Sequence, residues 1–179
     1  LGVTVCSVAG VNFLPYVKLV RPDGLNIPFV VLTDMDPQDS GEPRAYQRVY
    51  ALLRELGWAR EDLENQLATE LLENGELAGI FVNQATLEVD LFVAGMGESM
   101  AEVFKRSATT WGTKRQARMK GWLDEVEDLD EQKLLSWVDE VGKGRFAQAL
   151  AAHVNASVCP DYIKNALAFV KNGFFPIER

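Results

Sequence analysis

Two short acidic pairs, Asp34-Met35-Asp36 and Glu88-Val89-Asp90, are the residues of this chain whose types and spacing suggest chemistry. Side chains at i and i+2 of a strand project to one face. An extended Leu87–Val93 would therefore put Glu88 and Asp90 on one surface and Leu87, Val89, Leu91 and Val93 on the other. Half-exposed strands alternate in this way without any function, so the bland reading stands beside the chemical one. The Asp34/Asp36 pair follows the apolar run Ile27–Leu32, at the carboxyl end of what should be a central strand, with an Asp-rich turn as the ordinary alternative. Brought together, the pairs offer only oxygen donors, which suits hard cations such as Mg²⁺ or Mn²⁺ rather than zinc. Close carboxylates repel unless a cation neutralises them. The chemistry that most often uses such a cluster is phosphoryl transfer, in which one or two metals polarise phosphate and activate water.

Other candidates carry weaker signals. Gly142-Lys143-Gly144 is not a phosphate-binding P-loop, because the expected first glycine is Trp137 and the expected Ser or Thr is Gly144. No nucleotide site is expected, and Lys143 has an ordinary reading as a helix C-terminal cation before a glycine stop. Lys105, Arg106, Lys114, Arg115, Arg118 and Lys120 form a basic stretch with no acidic residue inside it. With Trp111 and Trp122 nearby, Lys114, Arg115, Arg118 and Lys120 could grip a phosphate backbone. The alternative is a solvated face balanced by the acidic run Asp124–Glu131. The tryptophans are more often core than base platforms, and His153 reads as a satisfied helix-end residue. A single histidine without a partnered nucleophile argues against a hydrolase triad.

The elements that must position these residues follow from periodicity. Val3–Val8 reads as a strand, Phe13–Val20 as a short helix with Pro15 in its first turn, and Ile27–Leu32 as a strand covered on both faces. Ligands of such parallel sheets gather at the carboxyl ends of the strands, where Asp34 and Asp36 wait. Helices are expected over Arg44–Leu56 and Glu61–Glu73, the latter ended by Asn74-Gly75, and a strand over Gly79–Val82. After Gly95 the pattern is helical throughout, near residues 99–109, 115–123, 130–141, 146–154 and 161–171. An α/β half followed by an α half results.

Composition sets the frame. The 179 residues carry 26 acidic and 18 basic side chains for a formal net charge of −8, with 47% apolar content. That profile builds a packed core and excludes intrinsic disorder. No apolar run approaches the ~20 residues of a membrane helix, and no secretory signal opens the chain, so a cytoplasmic protein without membrane partners is expected. Cys6 and Cys159 lie too far apart in sequence to suggest a disulfide framework. Leu1 starts within an apolar stretch, as though the chain were part of something longer.

In order and spacing, Val3–Gly10, Leu32-Thr33-Asp34-Met35-Asp36, Thr86-Leu87-Glu88-Val89-Asp90 and Gly142-Lys143-Gly144-Arg145-Phe146-Ala147 resemble the C-terminal TOPRIM region of the overcoming-lysogenization-defect (OLD) family nucleases. The resemblance implies a TOPRIM-like Rossmannoid parallel sheet flanked by helices over residues 1–95. A helical subdomain would follow over 96–179, its Lys143 segment packing back on the core. It further implies that Asp34, Asp36, Glu88 and Asp90 bind two divalent cations, Mg²⁺ or Mn²⁺, and that Lys143 stabilises charge at the scissile phosphate. DNA would be the substrate, and an N-terminal ATPase domain of the same polypeptide the partner through which a homodimer forms. TOPRIM domains also carry an acidic motif on their first strand and helix, a segment that would precede Leu1. Two other readings compete. A small-molecule phosphohydrolase would use Asp34 as nucleophile and Asp36 as acid, and a non-catalytic DNA-binding or assembly module would keep its carboxylates for structure.

Overall fold

The structure, a computed structural model, describes residues 2–8, 10–38 and 40–172. The Val3–Gly10 motif and the expected second domain both extend beyond these residues, at Ala9 and past Asn172. The architecture is α/β, a small parallel sheet flanked by helices and accompanied by a helical part. The chain forms two compact units, one drawn from Leu1–Thr86 and from Asp161 onward, the other Leu87–Pro160.

In the first unit, α1 (Leu14–Val20) leads to β1 (Val31–Thr33), and α2 (Arg44–Glu55), α3 (Arg60–Glu64) and α4 (Ala68–Leu77) connect it to β2 (Ile80–Val82). The strands are parallel, with Val31 opposite Ile80 and Thr33 opposite Val82. Helix α2 buries Ala45, Val49, Leu52 and Leu53, an i, i+4, i+7, i+8 stripe that meets Val31, Leu71 and Ile80 in the core. It stops at Gly57, whose φ of 94° favours glycine. On β2 lies α10 (Asp161–Asn172), where Phe169 meets Phe81 edge to face at 5.8 Å.

Several expectations are corrected here. Val3–Val8 forms no strand, since no neighbour among the described residues satisfies its backbone, and Cys6 is exposed. Of Ile27–Leu32 only the end pairs, and Leu32, 41% exposed, leaves one face of β1 uncovered. Glu61–Glu73 is not one helix but the separate α3 and α4. Asn74-Gly75 does not end α4. Gly75 lies inside it because a Cβ there would stand 2.9 Å from Val49 Cγ1 and 3.3 Å from the Ile80 carbonyl oxygen.

The second unit begins with the largest departure. Leu87–Leu91 is a helix, α5, not a strand. Val89, Phe92 and Met96 are buried at spacings of three and four, a helical stripe that the apparent alternation concealed. The chain then turns through Phe92–Met96, with Gly95 at φ 106°, into α6 (Gly97–Ser107). Helices α7 (Thr113–Asp124), α8 (Glu131–Val141) and α9 (Lys143–Ala151) complete the unit, α8 capped by the Asp130 carboxylate accepting from the Lys133 N–H. Their core is aromatic: Phe104 stacks on Phe146 at 5.1 Å and meets Trp137 edge to face at 5.8 Å, while Trp122 lies 5.0 Å from Trp137. The tryptophans Trp122 and Trp137 are therefore core residues, as their composition suggested.

Candidate functional site

The parallel strands bring two polar residues side by side at their carboxyl ends. Beyond the last paired residues, the Asn83 N–H donates to the Thr33 carbonyl at 3.1 Å, extending the ladder by one bond. That places Asn83, 2% exposed, next to Asp34. Its Nδ2 donates to Asp34 Oδ1 at 2.5 Å, and its Oδ1 accepts the Met35 N–H at 2.8 Å. One amide thus orients both the carboxylate and the turn that follows it.

Helix α2 holds the turn from the other side. Its cap, Pro43, offers no side-chain acceptor, and the first free N–H groups, of Arg44 and Ala45, instead donate to the carbonyls of Asp36 and Met35, each at 3.2 Å. One turn further along, Arg48 Nη1 reaches Asp36 Oδ2 at 2.6 Å, and its Nη2 donates to the Asp34 carbonyl. The Arg48 side chain is 11% exposed against 39% for Asp36, so the carboxylate faces solvent while its partner does not. Asp36 itself sits at φ 49°, a left-handed conformation that Asp tolerates better than most residues and that is concentrated at functional turns.

Those contacts define what the turn can bind. Its donors are hard carboxylate oxygens with no thiolate or imidazole among them. A Mg²⁺ or Mn²⁺ needs only one or two such carboxylates, completing its shell with water and phosphate oxygens, so the donor chemistry of the pair suits a divalent cation. Arg48 supplies the neutralising charge that a cation would otherwise bring. Among the described residues, no three of His, Cys, Asp or Glu are grouped to hold a metal ion.

The remaining candidates belong to the second unit. Glu88 and Asp90 occupy the first turn of α5, where acidic side chains complement the helix dipole. On a helix, residues two apart diverge by roughly 200°, so they do not share the one face that a strand would give them. Lys143 does not end a helix as its ordinary reading required. It is exposed at the start of α9, just after Gly142 at φ 91°. A cation gains nothing from the dipole at that end.

The basic residues of α7 divide by face. Arg115 pairs with Glu140 at 2.6 Å and lies over the Trp137 ring at 5.3 Å, tying α7 to α8. Lys114 and Arg118, one helical turn apart, are exposed on one flank, and Lys120 is exposed on a different side. Arg115 holds Glu140 below the ordinary carboxylate range through their hydrogen bond.

Sequence reasoning found Asp34 and Asp36 but not Asn83 or Arg48. A polar amide ending the neighbouring apolar strand was the signal for Asn83. Arg48 offered none beyond its place near the start of the helix after the acidic turn.

Solved structures resemble this chain over almost its whole length. The C-terminal region of the Burkholderia pseudomallei OLD protein is 45% identical, with a TM-score of 0.86 covering 94% of this chain and 81% of that one. The C-terminal region of the Xanthomonas campestris pv. campestris OLD protein, phased with mercury, is 42% identical with a TM-score of 0.79, covering 94% of this chain and 79% of that one. No family model matches, and no curated protein does.

Proposed function

The chain belongs to the OLD family as part of its C-terminal region, and from that premise we propose that it is a metal-dependent DNA endonuclease on a TOPRIM-like core. The observation that carries the reading is the Asp34-Met35-Asp36 turn at the carboxyl end of a parallel strand, the edge where open α/β sheets bind ligands. Asp34 and Asp36 are the residues that would hold a divalent cation. Such an ion supplies Lewis-acid stabilisation of a phosphate and a hydroxide nucleophile near neutral pH. Asn83 keeps the Asp34 carboxylate aimed, and Arg48 braces the Asp36 turn. Glu88 and Asp90, as further metal ligands for a second cation, and Lys143, as the cation that stabilises phosphate charge, rest on the sequence resemblance. The exposed place of Lys143 at the start of α9, where the helix itself has no use for a cation, supports its part. Lys114 and Arg118 on one flank of α7, with Lys120 on another side, are the exposed α7 cations available to neutralise DNA phosphates. An ATPase domain of the same polypeptide, and a dimer formed through it, complete the proposal.

Cleavage of supercoiled plasmid in Mg²⁺, Mn²⁺, Ca²⁺ or EDTA tests it. We expect nicking with Mg²⁺ or Mn²⁺ that falls about 100-fold or more in Asp36→Asn and in Lys143→Ala, the scale on which one lost electrostatic stabiliser acts. Undiminished cutting in EDTA, or by Asp36→Asn, would refute the reading.

A further inference from the structure

Beside the acidic turn, the first unit contains a cavity of about 530 Å³ that the metal reading leaves without a use. Helix α2 gives it Arg44, Gln47, Arg48 and Ala51, at i, i+3, i+4, i+7 spacing, together with Leu52 of the stripe that α2 buries in the core. Phe13 and Leu14, where the chain enters α1, line it with apolar atoms, and Asn12 adds an amide. No carboxylate is among its described lining residues, although the chain as a whole carries a net charge of −8.

The two arginines are differently engaged. Arg48 commits its Nη atoms to the Asp34 carbonyl and the Asp36 carboxylate. Arg44 is exposed and makes no ion pair among the described residues. The cavity therefore offers one available guanidinium, amides able to donate and accept, and an apolar wall with one aromatic ring. A ligand that uses all three has an anionic group, a flat apolar body and a polar edge, as a nucleotide does. The volume lies in the range of roughly 300–1,000 Å³ that small-ligand sites occupy.

We propose that this cavity is a nucleotide subsite, receiving one nucleotide of a DNA strand with its phosphate on Arg44 and its base against Phe13 and Leu14. The identity of the strand rests on the nuclease reading above; the chemistry of the cavity does not. Because α2 carries Arg44 and also braces the acidic turn through Arg48, a nucleotide seated here is positioned by the helix that fixes Asp36.

The test is fluorescence anisotropy of a short labelled single strand, read in Ca²⁺ and in EDTA so that cutting is not required. Wild type is compared with Arg44→Glu, Arg44→Lys and Ala51→Phe, the last filling the cavity without changing charge. The expected result is an affinity about tenfold weaker in Arg44→Glu, with a salt dependence reduced by about one phosphate contact, and partial rescue in Arg44→Lys. Ala51→Phe should weaken binding as well, and a melting curve verifies that it folds. A deoxynucleoside 5′-monophosphate should displace the strand at far lower concentration than inorganic phosphate. Strand affinity unchanged in both Arg44→Glu and a folded Ala51→Phe overturns the subsite, as does equal competition by inorganic phosphate. If the free mononucleotide binds as tightly as the strand, the strand assignment is overturned in favour of a mononucleotide site. A strand that binds through Arg44 yet is not cut when Mg²⁺ or Mn²⁺ replaces Ca²⁺ refutes the nuclease reading while leaving the subsite standing.

Discussion

Removing the Asn83 side chain tests how far the acidic turn depends on a neutral neighbour. Asn83→Ala leaves the Met35 N–H without its acceptor and removes one donor from the Asp34 carboxylate. A fully buried backbone donor stranded in this way costs about 1–3 kcal/mol; this one is part-buried, so denaturant unfolding should show a loss toward the lower end, about 1 kcal/mol. Metal affinity, measured by titration calorimetry, should weaken about 10-fold or more, because Asn83 orients a proposed ligand. Asn83→Asp should be worse still, since it replaces a donor to Asp34 with a second negative charge. Arg48 calls for a different experiment. In EDTA, Arg48→Gln should lower the melting temperature, because Asp36 loses the charge that compensates it; adding Mg²⁺ should recover much of the loss by binding the folded state. If Mg²⁺ stabilises the variant no more than it stabilises wild type, the exchange of arginine for cation at Asp36 is wrong. Neither pairing was legible beforehand, although a polar amide at the end of an apolar strand hinted at Asn83, because the contacts span 49 residues for Asn83 and Asp34 and 12 for Arg48 and Asp36. Motif spacing reveals residues on one element, whereas these meet only after the strands pair and α2 docks.

Helix α4 must bring β2 into register with β1, and at Gly75 there is no room for a side chain beside Val49 and Ile80. Alanine there would gain about 1 kcal/mol of helix propensity yet push against the stiff Val49 side chain and the Ile80 carbonyl. We expect Gly75→Ala to be net destabilising by about 1–2 kcal/mol in denaturant unfolding and to weaken metal binding by displacing Asn83 at the end of β2. In the helical part, the Arg115–Glu140 link predicts a pH dependence. Glu140 is held low in the folded state, so its contribution is present above the ordinary carboxylate range and is lost as pH falls through the folded value. Acid melting curves of Glu140→Gln should therefore be flatter than those of wild type in that window. At this scale the sequence was partly legible. The helices from Gly97 onward and β2 follow their periodicity closely, and α2 announces itself through its apolar stripe. Residues 87–93 misled because a short apolar run satisfies periods of two and of 3.6 alike, and what separates them is the burial of Phe92 and Met96 with Val89 while Leu87 and Val93 are exposed. Lys143 misled because Gly142 separates two helices instead of merely ending one.

Charge is organised over the whole chain in a way that its total conceals. A protein of net charge −8 can still hold DNA if the cations it presents are local. Reversing Lys114 and Arg118 together should weaken DNA binding and lower the slope of log affinity against log salt by about two contacts, whereas Arg115→Glu should mainly impair folding. An unchanged salt slope in the double variant would remove α7 from the DNA surface. The α/β character and the helical portion were readable from composition and period, but not the return of the chain to its first unit at Asp161, because no local pattern reports which distant strand a helix will cover. That return has a consequence for the order of events during synthesis. Leu87–Pro160 leaves the ribosome complete before α10 exists, so the interrupting unit can fold on its own contacts. The enclosing unit must wait, with Phe81 bare of Phe169, until the last helix is made.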